Sequence, residues 1–171
     1  MRGQFNLNLA CINLNKIFME KVKIISYNPN YKKPFKELNY EWLNKYFEIE
    51  QMDEKILSNP QKIIDDGGQI FLPIINKEAI STVALLKMNE STFELAKMSV
   101  TEKHQGKSIG KKLCLTAIDY ARNNNFKNIF LESNSKLTPA LNLYKKLRFR
   151  LLPEKESSHY KRSDVKMMLN L

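Results

Sequence analysis

The sequence of 171 residues is poor in glycine, proline and cysteine, and each scarcity excludes a class of protein. Five glycines and six prolines are too few for a low-complexity or disordered chain. Cys11 and Cys114 are too few for a disulfide framework and do not have a metal-binding spacing, so we expect no metal site and a reducing, cytoplasmic location. No apolar run approaches the length of a membrane span. The composition favours an ordinary globular domain.

The length fits a single domain with a sizeable core, which we assign to residues 19–171. Residues 1–18 contain an Asn-Leu-Asn-Leu run and lack the continuous apolar core of a signal peptide. Met19 is a candidate native start. We therefore treat residues 1–18 as an N-terminal extension, either non-native or disordered, and leave it out of the predicted fold.

The net charge of +10 is concentrated in the C-terminal part of the chain. Residues 1–100 contain 13 Lys or Arg and 12 Asp or Glu, whereas residues 101–171 contain 15 and 6, which gives net charges of +1 and +9. Nucleic-acid binding and a site for a polyanionic cofactor both produce such a basic surface. Lysines on solvent-facing helices also produce it. The charge alone leaves all three interpretations open.

Alternating and helical hydrophobic patterns predict the element order β-α-α-β-β-β-α-β-α-β-β. The predicted strands are residues 22–27, 70–75, 79–88, 93–100, 128–132, 149–152 and 164–171. The predicted helices are residues 34–47, 53–64 and 107–122, and one that begins at Thr138. This order predicts an α/β fold with a mixed sheet and helices on both faces. The two strands that flank helix 107–122 form a βαβ unit with it, so we expect them to be parallel.

A short basic loop containing Gly106 precedes the helix at residues 107–122. A strand that enters a helix through such a loop directs free backbone N–H groups at one point, with the positive end of the helix dipole behind them. Lys107, Lys111 and Lys112 add full charges nearby. The loop therefore suits a phosphate, and a pyrophosphate above all. An ordinary strand-to-helix turn explains the spacing alone equally well.

Three motifs occur in a fixed order along residues 21–171. Gln105 and Gly110 fit the pattern Gln/Arg-x-x-Gly-x-Gly/Ala, with Ser108 in place of the first glycine. The strand that ends at Val100 precedes this loop. Residues 131–134 (Leu-Glu-Ser-Asn) then follow, and residues 140–149 fit Ala-x-x-Leu-Tyr-x-x-x-Gly-Phe, with Arg148 where glycine is usual. Together these motifs resemble the GNAT superfamily of acyl-CoA-dependent N-acetyltransferases. If Ser108 needs a positive φ, a strain of about 1 kcal/mol follows.

The resemblance implies a mostly antiparallel mixed sheet that is splayed between its two parallel strands, with acetyl-CoA bound in the opening. It implies an enzyme that moves an acetyl group from acetyl-CoA to a primary amine of a small molecule or peptide, by direct attack in a ternary complex. The residues that it assigns to acetyl-CoA binding are Met98, Ser99, Val100, Gln105, Gly106, Lys107, Ser108, Ile109, Gly110, Lys111, Asn134 and Tyr144. Tyr144 would also be the general acid that protonates the leaving thiolate. Without the resemblance, core packing on its apolar helix face is the simpler interpretation.

Acidic residues are the candidates for the base and the acceptor site. Glu94 is the candidate base, directly or through water, because its strand leads to the acyl site; a solvent-facing strand carboxylate is the alternative. An alkyl amine with a pKa near 10.4 costs about 4–5 kcal/mol to present in its neutral form at pH 7, so such a substrate needs a base. Glu48, Glu50 and Asp53 follow the first helix, which borders the acceptor site in the family, and would attract a cationic amine. A solvated helix end explains them equally well.

Two other functions stay open at this point. One is a non-catalytic module on the same fold that binds or senses acyl-CoA. The other is a basic nucleic-acid-binding protein, which the lack of an aromatic-rich basic strand or a helix-turn-helix pattern disfavours. We expect no membrane partner. The alternating strand at residues 164–171 is a candidate for pairing in a homodimer.

Overall fold

A computed structural model describes residues 21–153 and 158–171, and the predicted extension of residues 1–18 lies outside them. The strands are β1 Lys23–Ser26, β2 Gln69–Ile75, β3 Glu78–Ala79, β4 Ser81–Lys87, β5 Thr92–Val100, β6 Asn128–Ser133, β7 Arg150–Leu151 and β8 Val165–Asn170. The α-helices are α1 Lys32–Tyr46, α2 Gln51–Ser58, α3 Pro60–Asp65, α4 Ile109–Asn123 and α5 Thr138–Lys146. No helix in the described part of the chain is long and apolar enough to span a membrane.

The strands form one mixed sheet in the order β1-β2-β4-β5-β6-β8-β7, with β3 paired to β2. Within the described residues, β5 and β6 run parallel and the other paired strands run antiparallel. The predicted mixed sheet and the parallel βαβ unit are therefore confirmed. The parallel pair lies in the middle of the sheet.

Helices cover both faces of the sheet, as predicted. On one face, α1, α2 and α3 bury Phe35, Leu57 and Ile63 against β2 and β4. On the other face, α4 and α5 pack on β4, β5, β6 and β8. Phe93 and Leu95 of β5 belong to this second core. Because side chains alternate along a strand, the residue between them projects towards the face of α1–α3.

The predicted helix at residues 53–64 is two helices, α2 and α3, separated at Asn59. Asn59 has φ −136° and ψ 67°, outside the helical region. Pro60 follows as the first residue of α3. A proline disfavours the α conformation of the residue before it and lacks the N–H that a continuing helix needs. The change of direction brings α2 against α1 and α3 against the edge of β2.

The end of α5 is closed by a Schellman motif. Arg148 adopts a left-handed conformation with φ 71°. The backbone N–H of Phe149 donates to the carbonyl of Tyr144 at 3.0 Å, and the N–H of Arg148 donates to the carbonyl of Lys145 at 3.0 Å. The rings of Tyr144 and Phe149 then lie 5.7 Å apart, centroid to centroid. The residue that replaces the usual glycine therefore occupies a conformation that favours glycine.

Replacing Arg148 by glycine should stabilise the protein, because a side chain in the left-handed region costs about 1 kcal/mol that glycine does not incur. We expect Arg148→Gly to raise the free energy of unfolding by about 1 kcal/mol relative to Arg148→Ala, measured by urea denaturation. Arg148→Ala is the control because it removes the charge and keeps the Cβ. Equal stability of the two variants would show that the conformation carries no strain.

Candidate active site

The sheet opens between β5 and β6. The two strands pair only from Thr92↔Asn128 to Glu94↔Phe130. On its other edge, β5 stays paired with β4 as far as Val100. Beyond Glu94, the edge of β5 that faces β6 has no strand partner among the described residues, which leaves room for an extended ligand. Two carbonyls of this stretch are already engaged, since Ser99 accepts from the hydroxyl of Ser81 and Val100 accepts from the side chain of Gln105. The splay that the resemblance implies is present.

A β-bulge lies in the part of β5 that borders the opening. The register changes from Ala84↔Ala96 to Thr82↔Ser99, so Val83 of β4 opposes two residues of β5, Lys97 and Met98. Lys97 has φ 52°. Because of the bulge, the side chain of Met98 points towards α4, where its sulfur lies 3.4 Å from the thiol of Cys114. The side chain of Lys97 points to the face of α1 and α2.

The loop before α4 presents backbone donors to one end of the opening. Gly106 and Ser108 both have left-handed backbones, with φ 71° and φ 62°. The first intrahelical bond runs from the N–H of Lys112 to the carbonyl of Ser108 at 3.1 Å, so the N–H groups of residues 109–111 have no acceptor within the helix. A Cβ added at Gly106 would meet no atom within 4 Å. The loop thus combines free donors with open space, as a pyrophosphate site requires.

Two side-chain contacts fix this loop. The amide Nε2 of Gln105 donates to the carbonyl of Val100 at 3.0 Å, which ties the loop to the end of β5. The Nζ of Lys107 donates to the carbonyl of Lys103 at 2.9 Å. The Gln105 side chain therefore orders the loop.

Gly110 meets a steric requirement. A Cβ built at this position would lie 3.2 Å from Cε of Met98 and 3.7 Å from Cδ2 of Leu143. The absence of a side chain lets the first turn of α4 lie directly against β5 and α5. The free N–H groups of α4 are held close to the opening as a result.

Tyr144 lies on the α4 side of the sheet and is 7 % exposed. Burial, together with the neighbouring Cys114, raises the pKa of the Tyr144 phenol well above its ordinary value. Cys114 in turn contacts Met98, so Tyr144 lies one side chain away from the strand that borders the opening. The phenol is therefore protonated at any physiological pH.

Glu94 projects from the opposite face and is 8 % exposed, so the alternative of a solvent-facing carboxylate is wrong. Burial is the main cause that raises the pKa of Glu94, and the charge of Glu132 adds to it, against the opposing charges of His159 and Lys97. Among residues 21–153 and 158–171, no side chain donates a hydrogen bond to its carboxylate. A buried carboxylate with a raised pKa suits a proton acceptor.

The acidic residues after α1 differ in their surroundings. Asp53 is fully buried. Its carboxylate accepts hydrogen bonds from Lys97 at 2.7 Å and from both terminal nitrogens of Arg162 at 2.7 Å and 2.9 Å. Glu50 accepts from the N–H of Lys161 at 2.9 Å and from Arg162 at 3.1 Å. Glu48 is exposed. Asp53 and Glu50 thus lie on the same side of the sheet as Glu94, and groups of the chain occupy their oxygens.

The protonation state of Asp53 follows from these partners. Burial would raise the pKa of Asp53, but the hydrogen bonds of Arg162 and the charge of Lys97 outweigh it and hold the pKa below its ordinary value. Burial lowers the pKa of Lys97, and Asp53 opposes this change. The carboxylate is therefore ionised and paired.

Asn134 connects the opening to the segment before β8. Its Nδ2 donates to the carbonyl of Arg162 at 2.6 Å, and its Oδ1 accepts from the N–H of Lys136 at 2.9 Å. Asn134 therefore fixes the chain beyond the end of β6.

Four further residues of the site were missed by the sequence analysis: Lys97, Glu132, Tyr160 and Arg162. Glu132 is buried and accepts a hydrogen bond from the hydroxyl of Ser158 at 2.6 Å. The alternation of side chains along β6 could have identified Glu132. Leu131 points into the core under α4, so the next residue points to the opposite face of the sheet, where Glu94 lies. Arg162 had no local signal, since 109 residues separate it from Asp53.

Comparison with known proteins agrees with this geometry. Residues 36–149 match the sequence profile of the acetyltransferase (GNAT) family. The chain belongs to this family. This acetyltransferase is 30 % identical over 106 residues to the N-acetyltransferase YvbK of Bacillus subtilis, which covers 60 % of the chain and 68 % of the relative.

Solved structures of the family have the same fold. The structure of a GNAT acetyltransferase from Staphylococcus aureus Mu50 superposes with a TM-score of 0.78 at 25 % identity, over 87 % of this chain and 98 % of the other. A GNAT acetyltransferase from Elizabethkingia anophelis, solved with bound acetyl-CoA, superposes with a TM-score of 0.66 at 18 % identity, over 88 % and 99 %. The described residues contain no group of His, Cys, Asp and Glu that could hold a metal ion.

The left-handed backbone at Ser108 predicts a stabilising substitution in the loop. We expect Ser108→Gly to be about 1 kcal/mol more stable than Ser108→Ala, because only the glycine variant removes the Cβ. Thermal denaturation with and without CoA measures both stability and ligand binding. A glycine variant that is no more stable than the alanine variant would contradict this prediction.

Proposed function

We propose that this acetyltransferase moves an acetyl group from acetyl-CoA to a primary amine of a small molecule or peptide, by direct attack in a ternary complex. The observation that carries the proposal is the opening between β5 and β6, with Tyr144 on one face and Glu94 on the other. An amine can enter from the Glu94 side while a thiol departs on the Tyr144 side. That arrangement needs no covalent enzyme intermediate.

The co-substrate would be held by the backbone more than by side chains. The free N–H groups at the start of α4, with Lys107 and Lys111 nearby, would bind the pyrophosphate. The unpaired edge of β5 would lie along the acyl end of acetyl-CoA at Met98 and along the pantetheine arm at Ser99 and Val100. Acetyl-CoA supplies a thioester whose acetyl carbon forms the new bond to nitrogen as its bond to sulfur breaks. The acetyl-CoA complex of the Elizabethkingia relative supports this co-substrate.

A cationic amine loses two protons on the way to the amide: one would pass to bulk water before attack, and Glu94 would take the second as the new bond to carbon forms. Its carboxylate is buried and accepts no side-chain hydrogen bond from the described residues, and its pKa is raised, so it is a stronger base than an exposed glutamate. The nearby carboxylate of Glu132 would help to attract an alkyl ammonium. A cationic primary amine is therefore the acceptor class that these charges favour.

Tyr144 would protonate the departing thiolate. It is one side chain from Met98, and its raised pKa keeps the phenol in its acid form at neutral pH. At the end of the reaction Glu94 would therefore be protonated and Tyr144 would be a phenolate. Solvent exchange then restores both groups.

A thiol-release screen tests the proposed function directly. Acetyl-CoA is incubated with the protein and with amines, polyamines, amino acids and peptides, and product mass is measured to separate transfer from hydrolysis. A Cys11→Ser/Cys114→Ser variant controls for reaction of the protein's own thiols. Stabilisation by CoA without transfer to any amine would overturn the proposal in favour of a binding module.

Tyr144→Phe should lower kcat at least 100-fold, because removal of a general acid typically costs 10²–10⁴ in rate. The dissociation constant for CoA should be unchanged, since the ring and its contact with Phe149 remain. Tyr120→Phe is the matched control, because Tyr120 packs on Phe71 away from the opening. A Tyr144→Phe variant with full activity would remove Tyr144 from the mechanism.

Glu94 should determine the acidic limb of the pH profile of kcat/KM, measured with a weakly basic aryl amine. Because the pKa of Glu94 is raised, activity should fall on acidification at a higher pH than an ordinary carboxyl would give.

Glu132→Gln removes a negative neighbour, so the pKa of Glu94 should fall and the acidic limb of the profile should move to lower pH. Glu94→Gln should lower the rate about 100-fold and abolish the limb. Glu90→Gln, which changes an exposed carboxylate, is the control. If Glu132→Gln does not shift the acidic limb of the pH profile, Glu94 is not the group that causes it.

A further inference from the structure

Lys97 combines an unfavourable backbone with a fully engaged side chain. Its φ of 52° is left-handed, although the residue is not glycine. The side chain is only 5 % exposed, and its Nζ donates to Oδ1 of Asp53 at 2.7 Å and to the hydroxyl of Tyr160 at 2.8 Å. A strained backbone of this kind persists only where the surroundings hold it, and such positions cluster at functional sites.

The partners of Lys97 are themselves fixed. Asp53 is fully buried in the first turn of α2, and one of its oxygens also accepts from the N–H of Glu50 at 3.0 Å. Arg162 binds both oxygens of Asp53. Both cations also approach the ring of Tyr160, whose centroid lies 4.6 Å from Nζ of Lys97 and 4.3 Å from the guanidinium carbon of Arg162. The ammonium of Lys97 is therefore anchored to a rigid group.

The bulge determines where the next residue of β5 projects. Two residues, Lys97 and Met98, oppose one residue of β4. Without the bulge, strict alternation from Leu95 would direct Lys97 into the apolar α4 core and Met98 to the opposite face. The bulge lies immediately beyond Glu94, where β5 leaves β6. The backbone of Met98, which the proposed function assigns to the acyl end of acetyl-CoA, therefore depends on this conformation.

We propose that Asp53 is a positioning residue for acyl transfer: through its ion pair with Lys97, it holds the β5 bulge in the conformation that presents the backbone of Met98 to the acyl group. This inference rests on the proposed function for the role of Met98. Asp53 and Lys97 touch neither reactant. Tyr160 binds Lys97 and Arg162 binds Asp53, so the segment before β8 also helps to hold the bulge.

The competing explanation is a buried ion pair that only stabilises the fold. Breaking such a pair is strongly destabilising whatever its role, because it leaves an uncompensated charge. Stability alone cannot separate the two explanations. The backbone conformation can, because glycine adopts the left-handed region freely and alanine does not.

The test therefore compares Lys97→Gly with Lys97→Ala, both of which delete the side chain. We expect kcat in Lys97→Ala to fall about tenfold or more below that of Lys97→Gly, since small displacements of reacting groups have effects of this size. Because Met98 packs on Gly110 in the first turn of α4, kcat is compared at saturating acetyl-CoA, so that a change in CoA affinity does not enter the comparison. Equal kcat values in the two variants, at a temperature where both are folded, would overturn the inference.

Asp53→Asn provides a readout that needs no turnover. Deuterium uptake by residues 95–101 should rise in this variant while uptake by β2 stays unchanged. Asp66→Asn is the matched control, because it breaks an exposed ion pair with Lys62. Unchanged uptake by residues 95–101 would overturn the inference even if the acetyltransferase is active. If the wild-type protein acetylates no amine, the proposed function fails, and the exchange result still decides whether Asp53 holds the bulge.

Discussion

The separation of β5 from β6 after Glu94 is the constraint on which the rest of the site depends. Buried backbone N–H and C=O groups require partners, and the inner edge of β5 has none from a strand beyond this point within the described residues. The bulge at Lys97 turns β5 while its pairing with β4 continues as far as Val100. The loop and α4 then begin at the mouth of the opening. An extended ligand that pairs with β5 would complete the sheet, and its anionic end would meet the free N–H groups of α4.

The sheet also separates two opposite electrostatic requirements. The pyrophosphate needs positive charge, which the start of α4 and its lysines supply, and residues 101–171 hold +9 of the total charge. A cationic amine needs negative charge, which Glu94 and Glu132 supply on the other face. Lys97, Arg162 and Lys166 lie on that face too. Asp53 and Glu50 pair with Lys97 and Arg162, and Nζ of Lys166 lies 3.9 Å from Glu132, so Glu94 is the carboxylate on this face that forms no ion pair with the described residues. Because the faces are divided by β5, each ligand would meet charge of the opposite sign without weakening the other's site.

Local patterns predicted what depends on local physics. The βαβ unit, the loop before α4 and the two helical faces followed from hydrophobic periodicity and turn residues, and the family resemblance added the splayed sheet. The bulge was not predicted, although alternation places Lys97 on the core face of β5, where a lysine is costly. The Asp53–Arg162 pair spans 109 residues and had no sequence signal. The break before Pro60 was readable from the proline alone. The sequence predicted which segments are helices and strands, but not which distant side chains pair with one another.

The two departures from the family pattern show which glycines of a motif are replaceable. Ser108 and Arg148 both have a left-handed backbone, so each side chain costs about 1 kcal/mol and nothing else need move. The conformation at Ser108 starts α4 with its first N–H groups free. The conformation at Arg148 ends α5 and places the ring of Phe149 against Tyr144. At Gly110 the requirement is steric instead, because a Cβ would crowd Met98 at 3.2 Å. A side chain there would press on the strand that lines the opening, and this is the position where the chain keeps its glycine.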